Sequence, residues 1–421
     1  SIVQHIFLLI FTNKSIFICK VYHKEIPASR LLKIIEKILI WGIDFAFVIV
    51  YNIEKQENEV KRKLKKYTVA AYYFPQWHHD PQHEKKMELG EWGQLKRAVP
   101  RFPGHNQPKI PVWGYLDESD PKTSKIQIDA AADHGIDVFI YDWYWDMCGE
   151  NTGKFLQSAL EKGFLQAENR DRMKFALMLC NHRELSRERW DKMVDCIIEE
   201  YFPLKEYWEL DGKKYFSIYE LYTLVKGLGG IEETREAIES FRAKAAAKGY
   251  EIHLNLVEWG LQNHEITGCD EGNTMRLFGA DSVTSYVWIH NVMPKAEVYS
   301  PYNKWREGIY PFWDKFDKEF KEYYPNVSMG WDPSGRFDPE KEYRADLTPG
   351  AYFSTLISDN TPEEFEKGLL ACRNFLDSSQ SKHKIVTLYA WNEWTEGGYL
   401  EPEKKYGYGY LDAIKKVFGE K

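Results

Sequence analysis

Near its C-terminal end the chain reads LYAWNEWTEGGYLEP, Leu388–Pro402. Glu393 and Glu396 stand three residues apart and Glu401 follows, all set among Trp391, Asn392, Trp394 and Tyr399. In an extended strand that odd spacing turns two side chains to opposite faces, but within a helical turn residues three apart share a side. Gly397 and Gly398 let the chain bend just there. Two carboxylates converging on one pocket can divide acid and base work. One protonates a leaving oxygen, while the other acts on carbon, on water or on a neighbouring hydroxyl, which is the equipment for cleaving a glycosidic bond. The proton donor needs a raised pKa, which burial against Trp391, Trp394 or Tyr399 would supply. The competing reading is a solvated loop, because an E-x-x-E pair by itself is usually an exposed helix face.

The elements that must position these carboxylates follow from the hydrophobic pattern. From Tyr67 onward, short β-rich apolar runs alternate with helical stretches. The runs begin at Thr68, Asp137, Lys174, Lys214, Glu251, Asp281, Asn326 and Lys384. The clearest helices are SRERWDKMVDCIIEEYF, IEETREAIESFRAKAAAKG and TPEEFEKGLLACRNFLDSS, the last opening with Thr361 as N-cap, Pro362 at N1 and Glu364 completing a capping box. Eight strands alternating with helices predict an α/β fold with a parallel sheet closed as a (β/α)8 TIM barrel. The open doubly wound alternative lacks a G-x-G-x-x-G after an early strand. In a barrel the strand C-terminal ends meet at one mouth. Polar and aromatic residues collect at those ends: Gln76 and Trp77, Asp142 and Tyr144, Asn181, Glu258, Trp288, Asp332, then Glu393. Tyr73, near the end of the first run, joins this set. On the last strand, parity places Thr387, Tyr389, Trp391 and Glu393 on the inward face and Val386, Leu388 and Ala390 against helices. The long first loop, about Trp77 to Lys125, is expected to contribute Trp92, His105 and Gln107, held among Pro and Gly.

Composition narrows the partners. The chain has 421 residues and a formal net charge of −8, which argues against a nucleic-acid partner. Its aromatic content of 15% fits flat platforms for sugar rings, with core packing as the plainer use. Six cysteines without a C-x-x-C leave the compartment open between periplasmic, secreted and cytoplasmic. His78, His79 and His83 with Asp80 match no standard zinc spacing, and no P-loop, D-x-D or nucleotide fingerprint occurs, so neither metal nor cofactor is expected. Residues 1–66 differ from the rest. Two apolar runs, IFLLIFTNKSIFICK and ILIWGIDFAFVIVYNI, precede a basic cluster, KRKLKK. Each run is shorter than the roughly 20 residues a membrane-spanning helix needs. The segment reads as an extension outside the folded domain, as a degenerate signal or anchor, or as spurious upstream sequence, so membrane association stays open. The catalytic barrel is expected over residues 67–421.

Taken together, AAYYFPQWH, the EWG segment, FPGHNQPKIP, the helix start at Gln127, GIDVFIYDWYW and WNEWTEGGYLEP resemble the glycoside hydrolase family 99-like proteins, also known as WbsX-like glycosyltransferases. The resemblance runs from about Tyr67 to the C-terminus. It implies a (β/α)8 barrel acting on carbohydrate, with Glu393 and Glu396 as the catalytic pair. It further implies retention through the substrate's own 2-hydroxyl, Glu393 acting as base on that hydroxyl and Glu396 as general acid and then base. Two departures stand out. Trp394 and Thr395 lie between the glutamates where the family 99 enzymes carry a His, and WDPSGRF replaces the usual Trp-Asp-Asn and Pro-Arg pattern. The alternatives are a transferase of surface-polysaccharide assembly and a non-catalytic carbohydrate-binding barrel.

Overall fold

The computed structural model describes residues 5–12, 15–22, 65–79, 90–145, 153–261, 268–348 and 351–419. Contacts divide the chain into two units, Ser1–Lys66 and Tyr67–Lys421. In the first, His5–Thr12 pairs antiparallel with Ser15–Tyr22, Thr12 lying opposite Ser15. The first apolar run thus lies in a β-hairpin, and its Ile and Phe content suits strands. The second apolar run, most of the basic cluster, Asp80 and His83 lie outside the described residues. Among those described, no helix is long and apolar enough to cross a membrane.

In the second unit the strands are β1 Thr68–Tyr73, β2 Val138–Trp145, β3 Lys174–Leu179, β4 Lys213–Ile218, β5 Glu251–Val257, β6 Ser282–Thr284, β7 in two segments, Tyr323–Tyr324 and Asn326–Ser328, and β8 Ile385–Tyr389. All neighbours pair in parallel, in the order β7, β6, β5, β4, β3, β2, β1, β8, β7. The two end segments are halves of one strand. Tyr323 pairs with Val283 of β6 and Asn326 with Thr387 of β8. Pro325 stands between them with no N–H to add to a ladder. The ring thus closes on itself as a TIM barrel, at the strand count expected from the apolar runs. β3, KFALML, is buried along nearly its whole length, as a strand covered on both faces must be.

The helices are α1 Gly90–Arg97, α2 Pro121–Asp133, α3 Arg187–Cys196, α4 Leu221–Leu228, α5 Ile231–Ala247, α6 Glu271–Leu277, α7 Tyr302–Glu319, α8 Pro362–Ser378 and α9 Gly409–Phe418. α8 shows why such segments are helical. Thr361 caps it, its side chain accepting from the Glu364 N–H, and Phe365, Leu369, Cys372 and Leu376 form the stripe it buries. The capping box is half made, because the Glu364 carboxylate turns instead to Arg306 at 2.5 Å.

Side-chain contacts identify the barrel interior. Tyr72 donates to the Ser285 carbonyl, Thr387 donates to the same carbonyl, and Tyr286 packs against Tyr72, Tyr219 and Tyr389 at 4.5–5.3 Å between ring centres. Deeper down the interior is polar and satisfied: Ser217 donates to Asn255 and Asn255 to Ser282, each at 2.8 Å. The outer face carries Phe139, Tyr141 and Trp143, which meet Phe164 and Tyr201.

Candidate active site

β8 ends at Tyr389, with Tyr389 facing inward as its parity requires. Beyond it, Trp394–Glu396 form a single 3-10 turn that Gly397 leaves with φ +70°. A Cβ at Gly397 would meet Asp332 backbone and side-chain atoms at 2.6–2.7 Å, so only glycine fits. The turn brings both glutamates to the mouth. Glu393 and Glu396 are 4% and 8% exposed. Tyr389 donates to Glu396 Oε2 at 2.5 Å. Arg336, from the loop after β7, sets its guanidinium among three carboxylates: Nη1 is 3.1 Å from Glu91, Nη2 3.7 Å from Glu393 and Nε 3.5 Å from Glu396. Glu91, on α1, also accepts from Thr395 Oγ1 at 2.7 Å, which ties the first loop to the 3-10 turn. Asp142 of β2 accepts from Tyr286 at 2.9 Å. Three buried polar atoms of this cluster lack a hydrogen-bond partner: Glu393 Oε2, Asp142 Oδ1 and Arg336 Nε.

Burial, with the charge of Glu396 adding to it, pushes the Glu393 carboxyl well above the usual range, against the opposing pull of Arg336. Burial likewise raises Asp142 to about 8, with Glu396 adding and the Tyr286 hydrogen bond opposing. Burial works against the charge on Arg336, but Glu91, Glu396 and Glu393 outweigh it. Asp142 therefore keeps its proton at neutral pH, and Arg336 keeps its charge. Trp391, Trp394 and Tyr399 do not produce this. Trp394 stacks on Tyr399 with ring centres 4.0 Å apart, and Trp391 packs outward on Phe139.

A second cluster centres on Asp332. Its carboxylate accepts from His105 Nε2 at 2.8 Å, Gln107 Nε2 at 2.6 Å, Lys109 Nζ and Ser334 Oγ. Although burial works against ionisation, Lys109 and His105 hold Asp332 well below the usual carboxylate range. Its backbone N–H donates to the Glu396 carbonyl at 2.5 Å. The first loop thus braces the Trp394–Glu396 turn from both sides, through Glu91 and through Asp332.

Of the residues singled out from sequence, Glu393, Glu396 and Asp142 come together. Tyr144 lies within the fields of Asp142 and Glu393. His105, Gln107 and Asp332 converge on one another. Others belong to the supporting structure. Tyr73 points outward, donating to Gln127 of α2 at 3.0 Å, and Gln127 donates to Glu401 at 2.8 Å. Glu401 also accepts from Trp394 Nε1 at 2.7 Å, and burial raises its carboxyl to about 7. Asn392 is committed to the backbone of Phe74 and to Glu118. Trp391 departs from the inward placement, its ring packing on Phe139 of the outer face while its backbone N–H donates to the Tyr72 carbonyl at 2.7 Å. Asn181 bridges to the backbone of Glu220, and Glu258 accepts from Asn291. Trp288 is core, its indole N–H on the Asn326 carbonyl and its ring beside Tyr302. Gln76 and Trp77 are buried, and Trp77 lies against Trp92 with ring centres 4.1 Å apart. Sequence reasoning missed Glu91, Lys109, Tyr286 and Arg336, and gave Tyr389 an inward face but no part in the site. Glu91 and Arg336 stood inside quoted motifs, but no spacing rule joins residues 245 positions apart. Among the described residues no group of three or more His, Cys, Asp or Glu could hold a metal ion.

Fold and cluster define a (β/α)8 barrel with a buried carboxylate centre at its C-terminal mouth. The chain belongs to the glycosyltransferase WbsX family, whose pattern it matches over residues 69–414. It is 25% identical over 377 residues to the uncharacterized protein WxcX of Xanthomonas campestris pv. campestris, an alignment covering 83% of this chain and 49% of that protein. The chain spans about half the length of the curated relatives it matches. Among solved structures it is similar to the GH99 endo-alpha-mannosidase from Bacteroides thetaiotaomicron, with a TM-score of 0.50 at 12% identity over 83% of this chain and 95% of that one. It is also similar to a glycoside hydrolase-like protein, with a TM-score of 0.51 at 14% identity over 85% and 95%. At these identities the likeness is one of fold.

Proposed function

We propose that the chain is a glycan-cleaving enzyme, a retaining glycoside hydrolase in which Glu393 and Glu396 work as a pair. The observation that supports it is the buried carboxylate pair braced by Arg336, with Glu393 Oε2, Asp142 Oδ1 and Arg336 Nε left without hydrogen-bond partners. Buried polar atoms without partners are rare. A sugar hydroxyl both donates and accepts, so it complements an orphan carboxylate oxygen beside an orphan N–H. In the first step Glu393 takes the proton of the 2-hydroxyl as that oxygen attacks the anomeric carbon, while Glu396 protonates the departing glycosidic oxygen. In the second, Glu396 takes a proton from water as the water oxygen attacks the anomeric carbon, and the 2-oxygen leaves and recovers its proton from Glu393. To act as base Glu393 must be ionised, and the neighbouring Arg336 guanidinium favours that form against the burial that raises its carboxyl.

A transferase of surface-polysaccharide assembly is the second reading, supported by the name of the family. The charge at the mouth opposes it: Arg336 already faces Glu91, Glu393 and Glu396, and a donor diphosphate would add negative charge to a negative cluster. The test is to incubate the full chain with a glycan panel and, separately, with nucleotide sugars and acceptors. Reducing ends released from a glycan support the hydrolase. Transfer from a nucleotide donor alone sinks it, and binding without turnover points to a lectin-like barrel. On a confirmed substrate, Glu393→Gln and Glu396→Gln should each lower turnover by roughly 10²–10⁴-fold with little change in melting temperature.

A further inference from the structure

The two most exposed large apolar side chains among the described residues are neighbours. Tyr352 and Phe353 are 55% and 52% exposed. They lie beside the carboxylate cluster, the Tyr352 ring centre standing 5.9 Å from the Arg336 guanidinium. The backbone beneath them is fastened. Tyr343 donates to the Ser354 carbonyl at 2.6 Å and to that of Tyr352 at 3.3 Å, and Trp331 donates to Ser354 Oγ at 2.5 Å. Phe337 backs Phe353 with ring centres 4.0 Å apart. The rings are thus presented on a pinned support, and leaving such apolar faces in water calls for an occupant.

We infer that Tyr352 and Phe353 form a sugar-stacking subsite next to the scissile position, so that the ligand is a chain of several sugar rings and not a single glycoside. This rests on reading the mouth as a glycan site. The occupant follows from continuity with that cluster and from chemistry: flat aromatic faces match the apolar C–H face of a pyranose, while the polar groups beside them match its hydroxyls.

Affinity gel electrophoresis of the full chain in α-mannan, dextran and a lipopolysaccharide-derived O-polysaccharide tests it. At least one polysaccharide should retard the wild type. Phe353→Ala should weaken that retention about tenfold, as loss of one aromatic contact does. Tyr352→Ala/Phe353→Ala should abolish it, and Phe353→Trp should keep it. Melting curves check that each variant folds. A wild type that is retarded but cleaves none of the polysaccharides sinks the hydrolase reading and leaves the subsite standing, so the two failures are distinguishable. Retention unchanged in the double variant overturns the inference, as does a wild type retarded by none of the three polysaccharides. A double variant that turns a dimer into a monomer with retention intact assigns the patch to a second copy and overturns it too.

Discussion

The guanidinium of Arg336 faces three carboxylates yet makes its one short contact, 3.1 Å, with Glu91. That leaves Glu393 and Glu396 within its field but not locked to it. At an effective dielectric of about 20, opposite charges about 4 Å apart attract by about 4 kcal/mol, enough to move a carboxyl by more than one pH unit. Arg336 lowers the Glu393 pKa and burial raises it; burial wins in the intact cluster. Removing the cation leaves burial and Glu396 unopposed, so Glu393 ionises later. On a confirmed substrate, Arg336→Gln is expected to move the acid limb of kcat/KM up by at least about one pH unit, and Arg336→Lys to leave it close to wild type. An unmoved limb in the Gln variant would show that Arg336 only props the loop.

At the scale of elements, the end of β8 is held to the end of β1 by one side chain. Asn392 accepts from the Phe74 N–H at 2.8 Å and donates to its carbonyl at 2.9 Å and to Glu118 at 2.5 Å. Asn392→Ala would strand these buried groups at about 1–3 kcal/mol each, so a loss of several kcal/mol is expected in denaturant unfolding, with turnover falling alongside. The polar residue at this strand end serves the backbone, which a sequence cannot distinguish from serving a substrate; the same holds for Asn181. The strands themselves were legible because parallel strands buried on both faces read as continuous apolar runs. Which face is interior was legible only in part. Thr387 and Tyr389 face inward as their parity suggests, but Tyr72 and Tyr73 are adjacent tyrosines and only contacts reveal that Tyr72 takes the interior. Trp391 follows the end of pairing, where alternation stops being a guide. The pair Glu393 and Glu396 was visible from its spacing; Arg336 and Glu91 were not, because tertiary packing alone joins them.

For the molecule as a whole, the buried carboxyls set the pH dependence of stability. Asp142, raised to about 8, stays protonated when folded over a range in which the unfolded chain has already lost that proton. Its contribution is therefore complete below about pH 4 and is lost as pH rises through about 8. Glu401, raised to about 7, works in the same direction, while Asp332, held low, contributes above the ordinary carboxylate pKa and fails only in strong acid. Asp142→Asn, which keeps an acceptor for Tyr286, should raise the melting temperature near pH 8 and change it little near pH 4. An equal shift at both pH values would assign the effect to packing. The barrel also imposes an order in time. Its closing contact joins residues 318 apart, Phe74 to Asn392, and bringing such distant segments together is the slow part of folding. Asp142 comes from the second strand and Glu393 from the loop after the eighth, so no partly wound barrel contains the centre. In refolding, catalytic activity should return with the slowest kinetic phase, after most of the far-UV circular dichroism. A burst of activity in the dead time would show that the centre assembles before the ring shuts.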